Sequence, residues 1–417
     1  MSAERQHRIR TLCLAGALHA FTHAYQVALL PLYLLMQRDF KFASVGQATS
    51  LVTVMMIAYF LPSYPMGVLA DRVSRKTLLG WGLLINAGGF TILALVPKYA
   101  GAVAAMILAG IGGSFYHPAA TAMVARLYPI GTGKALGWVG VGASVGFFVG
   151  PLYAGWRAGA LEATRGAAAW RQPVLELGLL GIVMAGCFAW LADPEKPAPA
   201  SGRKPVSTGK IFPTPVLWLF FFAAAFAFSL RDFTGTSMGS LGSLFLQEAR
   251  GYDTRLAGFA ISGIFVASAI SNPLFGGLSD RGRKRWTMFL LLVSAALVAL
   301  FPHVPTGWTF PTLLGYGFFF MASYPTIEAA LMESVPDEVR GRVFGLFIMV
   351  GGLIGNLSHW VVGHEVERMG DGAQVAASYF PLYTALAGLI LLSLLGLPCL
   401  HAIRKREHLE PEPAARK

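Results

Sequence analysis

What this sequence has least of is charge. Only 13% of its residues are Asp, Glu, Lys or Arg, against 55% hydrophobic, and the mean hydropathy is +0.58. So few ionised groups cannot cover the surface of a 417-residue soluble protein, which excludes a water-soluble globule and leaves the membrane. Cysteine is also scarce. Cys13, Cys187 and Cys399 fall far apart in apolar runs without metal-ligand spacing, so neither a disulfide framework nor a thiolate metal centre is expected. Acidic residues number 21 against 33 basic ones, a formal net charge of +12. The cations are not gathered into one stripe, so nucleic acid is not an expected partner.

What is present in quantity is apolar run. A bilayer crossing needs about 20 largely apolar residues, and such runs begin near Thr11, Ser44, Thr77, Ala100, Leu136, Pro173, Pro215, Leu256, Trp286, Thr312, Val343 and Ser378, about twelve in all. The first follows "MSAERQHRIR", but it is longer than a signal-peptide core and lacks a small-residue cleavage site, so it reads as a retained helix. The basic residues recur in alternate loops: Arg5, Arg8 and Arg10; Arg72, Arg75 and Lys76; Arg281, Arg283 and Lys284; Arg404, Lys405 and Arg406. Positive residues stay on the cytoplasmic side, which places both termini there and makes the number of crossings even.

The stretch 193–213 has no apolar run and is rich in Pro, Lys and small polar residues, so it reads as a cytoplasmic linker. The parts it joins resemble each other. "GVLADRVSRK" (67–76) is echoed by "GGLSDRGRKR" (276–285), "PLYL" (31–34) by "SLFL" (243–246), and "YHPAA" by "SYPTI", at an offset of about 210 residues. The expected organisation is an all-α membrane protein with twelve transmembrane helices in two pseudo-symmetric six-helix bundles, 1–192 and 214–403, followed by a cytoplasmic tail, 404–417.

"GVLADRVSRK" resembles the loop signature of the major facilitator superfamily, G-x-L-A-D-R-x-G-R-K/R, with Ser74 for the second glycine. The resemblance covers essentially the whole chain. It implies that Gly67, Asp71, Arg72, Arg75 and Lys76, with Asp280 and Arg281 in the repeat, gate the molecule by latching its outward-open state. "GWVGVGASVGFFVGPLYAG" resembles the antiporter motif G-x8-G-x3-G-P-x2-G-G, matched at Gly137, Gly146, Gly150, Pro151 and Gly155 with Ala154 for one glycine. Glycines four residues apart form a groove for a neighbouring helix, and Pro151 loosens the ladder there. In the family this motif marks exporters that exchange substrate for protons.

Ionisable groups at membrane depth are functional candidates by default. Here they are His19, His23, His117, Arg231, Asp232, Glu328 and His359. His19 and His23, in "GALHAFTHAY", share a helix face with Gln26 one turn on. Such a pair is open to four readings: a metal clamp, a proton site, packed core residues, or a pocket that binds substrate and accepts protons. The last is preferred, because neutral imidazoles are tolerable in the membrane and titrate near physiological pH. "LHAFTHAYQ" and "SFYHPAATAMVARLYP" resemble the fosmidomycin-resistance, drug:proton antiporter group, whose pattern is His-x3-Asp and His-Pro-Glu. His19 and His117 match it, whereas His23 stands for the Asp, Ala119 for the Glu, and Met106 for an arginine common in proton antiporters. The proton carriers therefore shift to Asp232 and Glu328, with His19.

Arg231 and Asp232, being sequence neighbours, diverge by about 100° around a helix, so Arg231 is expected to find its partner in Glu328 or a bound anion. The expected substrate-binding set is His19, His23, Gln26, Tyr116, His117, Arg231 and Asn356. The reading is a secondary active transporter working by alternating access, a proton-coupled exporter of a small organic anion or amphipathic compound, and not an enzyme. A proton-coupled importer of an organic anion, a divalent-metal transporter using the histidines and, last, an intramembrane metalloenzyme are the alternatives. Substrate, protons and the lipid bilayer are the expected partners. A monomer in a bacterial inner membrane, with no cofactor or resident metal, completes the expectation.

Overall fold

The computed structural model describes residues 3–128, 130–193, 211–336 and 339–407. Seventeen α-helices run through these residues, with no strand among them. They are α1 (Ala3–Val27), α2 (Tyr33–Phe40), α3 (Val45–Phe60), α4 (Ser63–Arg72), α5 (Arg75–Leu95), α6 (Tyr99–Ser114), α7 (Tyr116–Leu127), α8 (Thr132–Arg165) and α9 (Arg171–Leu191). After the linker come α10 (Pro215–Leu244), α11 (Thr254–Val266), α12 (Ser268–Ser279), α13 (Arg283–Leu300), α14 (Thr309–Met332), α15 (Arg340–Met369), α16 (Phe380–Ser393) and α17 (Gly396–Glu407).

Local chemistry sets the ends. Ser74 accepts a hydrogen bond from the Thr77 amide at the start of α5, and Asp253 from the Leu256 amide at the start of α11. Pro62 separates α3 from α4, lacking the amide that would continue the ladder. Gly166 ends α8 at φ 55° and Gly370 ends α15 at φ 52°, a backbone region open to glycine, so the same turn recurs at corresponding places of the duplication.

Eight stretches are long and apolar enough to cross a membrane. One of them, Lys134–Leu191, holds both α8 and α9, while α1, the α3–α4 pair and α14 fall outside that measure. The pattern accommodates the expected twelve crossings. Residues 194–210 of the expected linker and 408–417 of the expected tail lie outside the described residues. The described ends are more ordered than a linker and a tail require: Phe212 is buried edge-on against Trp218, and α17 runs to Glu407 with Arg406 over the Phe220 ring.

In the first part, α1 packs on α8, α5 on α9 and α3 on α6; in the second, α10 packs on α15, α13 on α16 and α11 on α14. These are the same pairings under the sequence repeat. The two parts meet along α3 against α15 and α8 against α11, whereas α4 barely touches α15 and α12 barely touches α8. They therefore close over one side and separate toward the ends that carry α4 and α12.

Hydrogen bonds tie the closed side. Ser243 Oγ donates to the Leu30 carbonyl (2.7 Å), Gln247 Nε2 to that of Pro31 (3.3 Å), and Tyr33 Oη lies 3.1 Å from Ser240 Oγ, which contacts His359 Nδ1 at 2.5 Å. Along the seams, a Cβ on Gly258 would stand 2.5 Å from the Pro151 carbonyl oxygen, and one on Gly363 would overlap Thr49 Oγ1.

At the open side Asp193 pins α1 to the end of α9, with Arg10 Nη2 at 3.1 Å, Thr11 Oγ1 at 3.2 Å and His7 Nδ1 at 2.7 Å. Burial pushes this carboxyl up, but the hydrogen bonds of His7 and Thr11 and the Arg10 charge outweigh it and hold the pKa below its usual value. A lowered carboxylate contributes stability above its ordinary value of 3.8 and loses it as pH falls through the folded value. Asp193→Asn is expected to cost about 1 kcal/mol or less at pH 7, since the group is part-exposed, and nothing in strong acid. Thermal unfolding of variant and parent at the two pH values checks this.

Candidate functional site

The first polar cluster depends on how closely α1 and α8 approach. Gly16, Ala20 and Ala24 of α1 face Gly142, Gly146 and Gly150 of α8. A Cβ on Gly150 would stand 2.8 Å from the Ala24 carbonyl oxygen, and one on Gly142 or Gly146 would overlap the carbonyls of Gly16 or Ala20. This contact brings His19 Nδ1 to 2.9 Å from the Val139 carbonyl oxygen on α8. His23 Nε2 lies 3.0 Å from His19 Nε2, and His23 Nδ1 lies 2.9 Å from Gln26 Oε1. Tyr116 donates to the Ala15 carbonyl (2.8 Å) and stacks on His19 with ring centroids 4.5 Å apart. His117 stands edge-on to His19, centroids 5.2 Å apart, and is exposed while the other two imidazoles are buried. Five of the expected residues, His19, His23, Gln26, Tyr116 and His117, are thus in one cluster.

The second cluster lies on α10, α14 and α15. The Arg231 side chain is 2% exposed, and its guanidinium turns back to Asp232, with Nε at 3.1 Å and Nη2 at 2.5 Å from the same oxygen, Oδ1. This corrects the expectation that the two could not neutralise one another. Their Cα–Cβ directions diverge, but four rotatable bonds let the arginine span the gap. Arg231 Nη1 also reaches Ser323 Oγ (3.3 Å), and the guanidinium carbon sits 4.0 Å from the centre of the Tyr324 ring. Glu328, one turn beyond Tyr324 and half-buried, is close enough to Arg231 and Asp232 to interact electrostatically. Gly351 and Gly355 make room for Asp232: a Cβ on Gly351 would stand 2.7 Å from Oδ2.

Two aromatic bridges connect the clusters across the seams. On one side His117 neighbours Tyr59, Tyr59 neighbours Phe60, and Phe60 lies against Gly352, next to the glycine that accommodates Asp232. On the other, His23 contacts Phe147 (4.2 Å between centroids), which stacks on Phe265 of α11 at 5.1 Å. Phe60 and Phe147 thus link the polar clusters of the two parts across the seams, and the parts separate toward α4 and α12. Asn356 was expected in the pocket; it lies buried on the α3–α15 seam, where its Nδ2 donates to the Gly352 carbonyl of its own helix and its carbonyl accepts from Thr53.

At the open ends, Lys76 Nζ donates to the Ala192 carbonyl where α9 stops, a cation at a helix C-terminus. Asp280 pairs with Arg283 (2.9 Å), which also holds Glu333 (2.6 Å), so Arg283 rather than Arg281 is its partner. Arg72 and Arg281 are exposed, Arg75 is half-buried, and the Asp71 side chain lies outside the described residues. Gly67 faces Pro118 at 3.9 Å from a built Cβ. Of the span-five signature, Gly146 and Gly150 pack on α1, Gly155 packs on Gly258 of α11, Pro151 sits at that crossing, and Gly137 has open space beside it.

Sequence reasoning missed Phe60, Phe147 and Phe265, because an aromatic in an apolar helix carries no mark of facing a partner helix rather than lipid. It also missed Gly142, one turn before Gly146, and the Tyr33–Ser240–His359 ladder. The Gly-x3-Gly-x3-Gly spacing could have revealed the former.

The family model described as Major Facilitator Superfamily matches residues 12–359. The chain belongs to that family. Among facilitator relatives, it is 26% identical over 328 residues to the multi-drug resistance efflux pump PmrA of Streptococcus pneumoniae, covering 74% of this chain and 76% of that one. It is 25% identical to the fosmidomycin resistance protein of Escherichia coli, with 83% of each chain covered. Its fold is similar to a bacterial homolog of the human lysosomal transporter Spinster in an inward-facing and unoccupied conformation, with TM-score 0.77, 16% identity and 98% and 99% coverage. The nucleoside transporter NupG gives TM-score 0.71 at 15% identity, covering 94% and 99%. As a facilitator the chain is an integral membrane transporter of small molecules and not an enzyme.

Proposed function

We propose that this transporter exports an amphipathic organic compound across a bacterial inner membrane in exchange for protons. In this reading the linker 193–213 joins two bundles that rock about the gap, and both termini are cytoplasmic. The ends of α4 and α12 are then the cytoplasmic mouth, and the conformation is inward-open. The observation that carries the proposal is that each half holds a polar cluster at membrane depth, the exposed His117 beside His19 and His23 in one and the Arg231–Asp232–Glu328 group in the other, while hydrogen bonds tie the halves together on one side only; in this reading the two clusters are the walls of one gap. The relative named as a multi-drug resistance efflux pump supports the direction.

The Arg231–Asp232 pair favours the amphipathic compound over the small organic anion. An anion that captured Arg231 would strip Asp232 of its partner and leave an uncompensated carboxylate at membrane depth, which is costly. A compound with an apolar body can lie against Phe60, Phe147 and Phe265 and offer a polar end to Glu328 without breaking the pair. Exchange needs substrate and proton to oppose each other at one group. Glu328 meets that need: as a carboxylate it accepts strong, charge-assisted hydrogen bonds from the substrate, whereas protonation leaves only a weaker neutral acceptor and adds an O–H donor.

Glu328→Gln is expected to retain substrate counterflow at weakened affinity, because the neutral amide oxygen still accepts a hydrogen bond, while losing at least about 90% of transport driven by a proton gradient, because it does not titrate. Reconstituted proteoliposomes measure both, and gradient-driven transport at the parental rate would overturn Glu328 as the carrier.

A further inference from the structure

We infer that His19, His23 and His117 form a binding site for one borderline divalent transition-metal ion of the zinc and cobalt class. The site lies on one wall of the gap proposed above and rests on that reading. The argument begins with protons. His19 Nδ1 faces the Val139 carbonyl oxygen at 2.9 Å, and His23 Nδ1 faces Gln26 Oε1 at 2.9 Å. With the Gln26 amide in this orientation both oxygens are acceptors, and both Nδ1 atoms carry hydrogen. Each neutral ring then presents a bare lone pair at Nε2, and the two Nε2 atoms lie 3.0 Å apart. Two lone pairs at that distance repel unless something positive lies between them.

The arrangement is what metal-bound imidazoles show. Each ligating ring donates its other N–H to an oxygen, which fixes the tautomer and aims the lone pair. Zinc–nitrogen bonds of about 2.0–2.1 Å place neighbouring tetrahedral ligands about 3.3 Å apart, close to the His19–His23 separation. The three ligand atoms, including that of His117, lie within 4.8 Å of one another. His117 is the exposed member, so rotation of its ring into the gap supplies the third bond without disturbing buried packing. Three histidines with an open fourth position suit zinc-class ions, and the open position faces the gap, where water or an oxygen of the substrate completes the shell. The other amide orientation gives the other proton pattern, with the Gln26 NH2 donating to His23 Nδ1 and His23 Nε2 donating to His19 Nε2. Metal binding selects the orientation in which Gln26 Oε1 accepts from His23 Nδ1.

The test is a titration of the purified full-length chain in lipid nanodiscs with Co2+. The expected result is one equivalent bound with the intense visible absorption of tetrahedral cobalt, displaced by Zn2+. His117→Ala should weaken binding at least tenfold without changing thermal unfolding, and His401→Ala, on the exposed last helix, should change nothing. Gln26→Glu, which accepts and cannot donate, should tighten binding, and Gln26→Leu should weaken it about tenfold. No tetrahedral signal, or the same signal in His117→Ala, would overturn the site. Loss of the metal site with gradient-driven export intact removes only this inference; cobalt bound by a chain that moves no drug removes the transport reading and leaves the site.

Discussion

Arg231→Ala is expected to abolish transport and to destabilise the protein by about 3–5 kcal/mol, the cost of removing one member of a buried ion pair. The loss is not a packing defect. Arg231 is the counter-charge that allows Asp232, against α15, to stay at membrane depth. The double change Arg231→Met with Asp232→Asn should therefore recover most of the stability, because it removes both charges, and should still not transport. Thermal unfolding read beside transport in the single and double variants separates the two effects. Equal stability of parent and Arg231→Ala would mean that the pair carries no buried charge.

Gly363→Val is expected to stop at least about 90% of transport while leaving each half folded. Gly363 on α15 lies against Gly46 and Thr49 on α3, so a side chain there has no room at the seam on the closed side, the outer one in the proposed orientation. Overpacking of this kind costs about 1–3 kcal/mol, which shifts a two-state balance by about 5- to 150-fold away from the state containing the contact. Since the seam joins the halves rather than lying within either, the cost falls on the inward-open state. The readout is labelling by a membrane-impermeant maleimide of a cysteine placed at Ser243, which is buried at the closed side, in a background without the native cysteines. Labelling should be fast in Gly363→Val and slow in the parent; equally slow labelling would show that the seam does not hold the outer side shut.

Much of this was legible in the sequence. The duplicated loop strings implied two similar units, and in the structure the same helix pairings recur in both, such as α1 with α8 and α10 with α15. The glycines of span five announced a close approach, and the structure places α1 there, one carbonyl per turn. The histidines of "GALHAFTHAY" were readable as one face from their spacing alone, and His117 joins them. What the sequence withheld depends on reach and on side. The pairing of Arg231 with Asp232 was hidden because helix geometry fixes Cβ directions and not where a long guanidinium ends. Asn356 shows the same limit: its polarity marked it for the pocket, but the seam with α3 took its backbone carbonyl and its own helix took its amide. The conformation was equally invisible, since the contacts of α3 with α15 belong to one state of a molecule proposed to visit two.

The central claim is that the two halves rock about one gap, opening it to each side in turn. The most direct measurement is the distance between spin labels at Val68 on α4 and Leu278 on α12, both exposed near the open mouth, in lipid nanodiscs by pulsed dipolar resonance. The account predicts a long distance in the parent chain and a clearly shorter one in Gly363→Val, with both populations present when a transported drug is added. One distance, unchanged by the variant and by any transported compound, would contradict it.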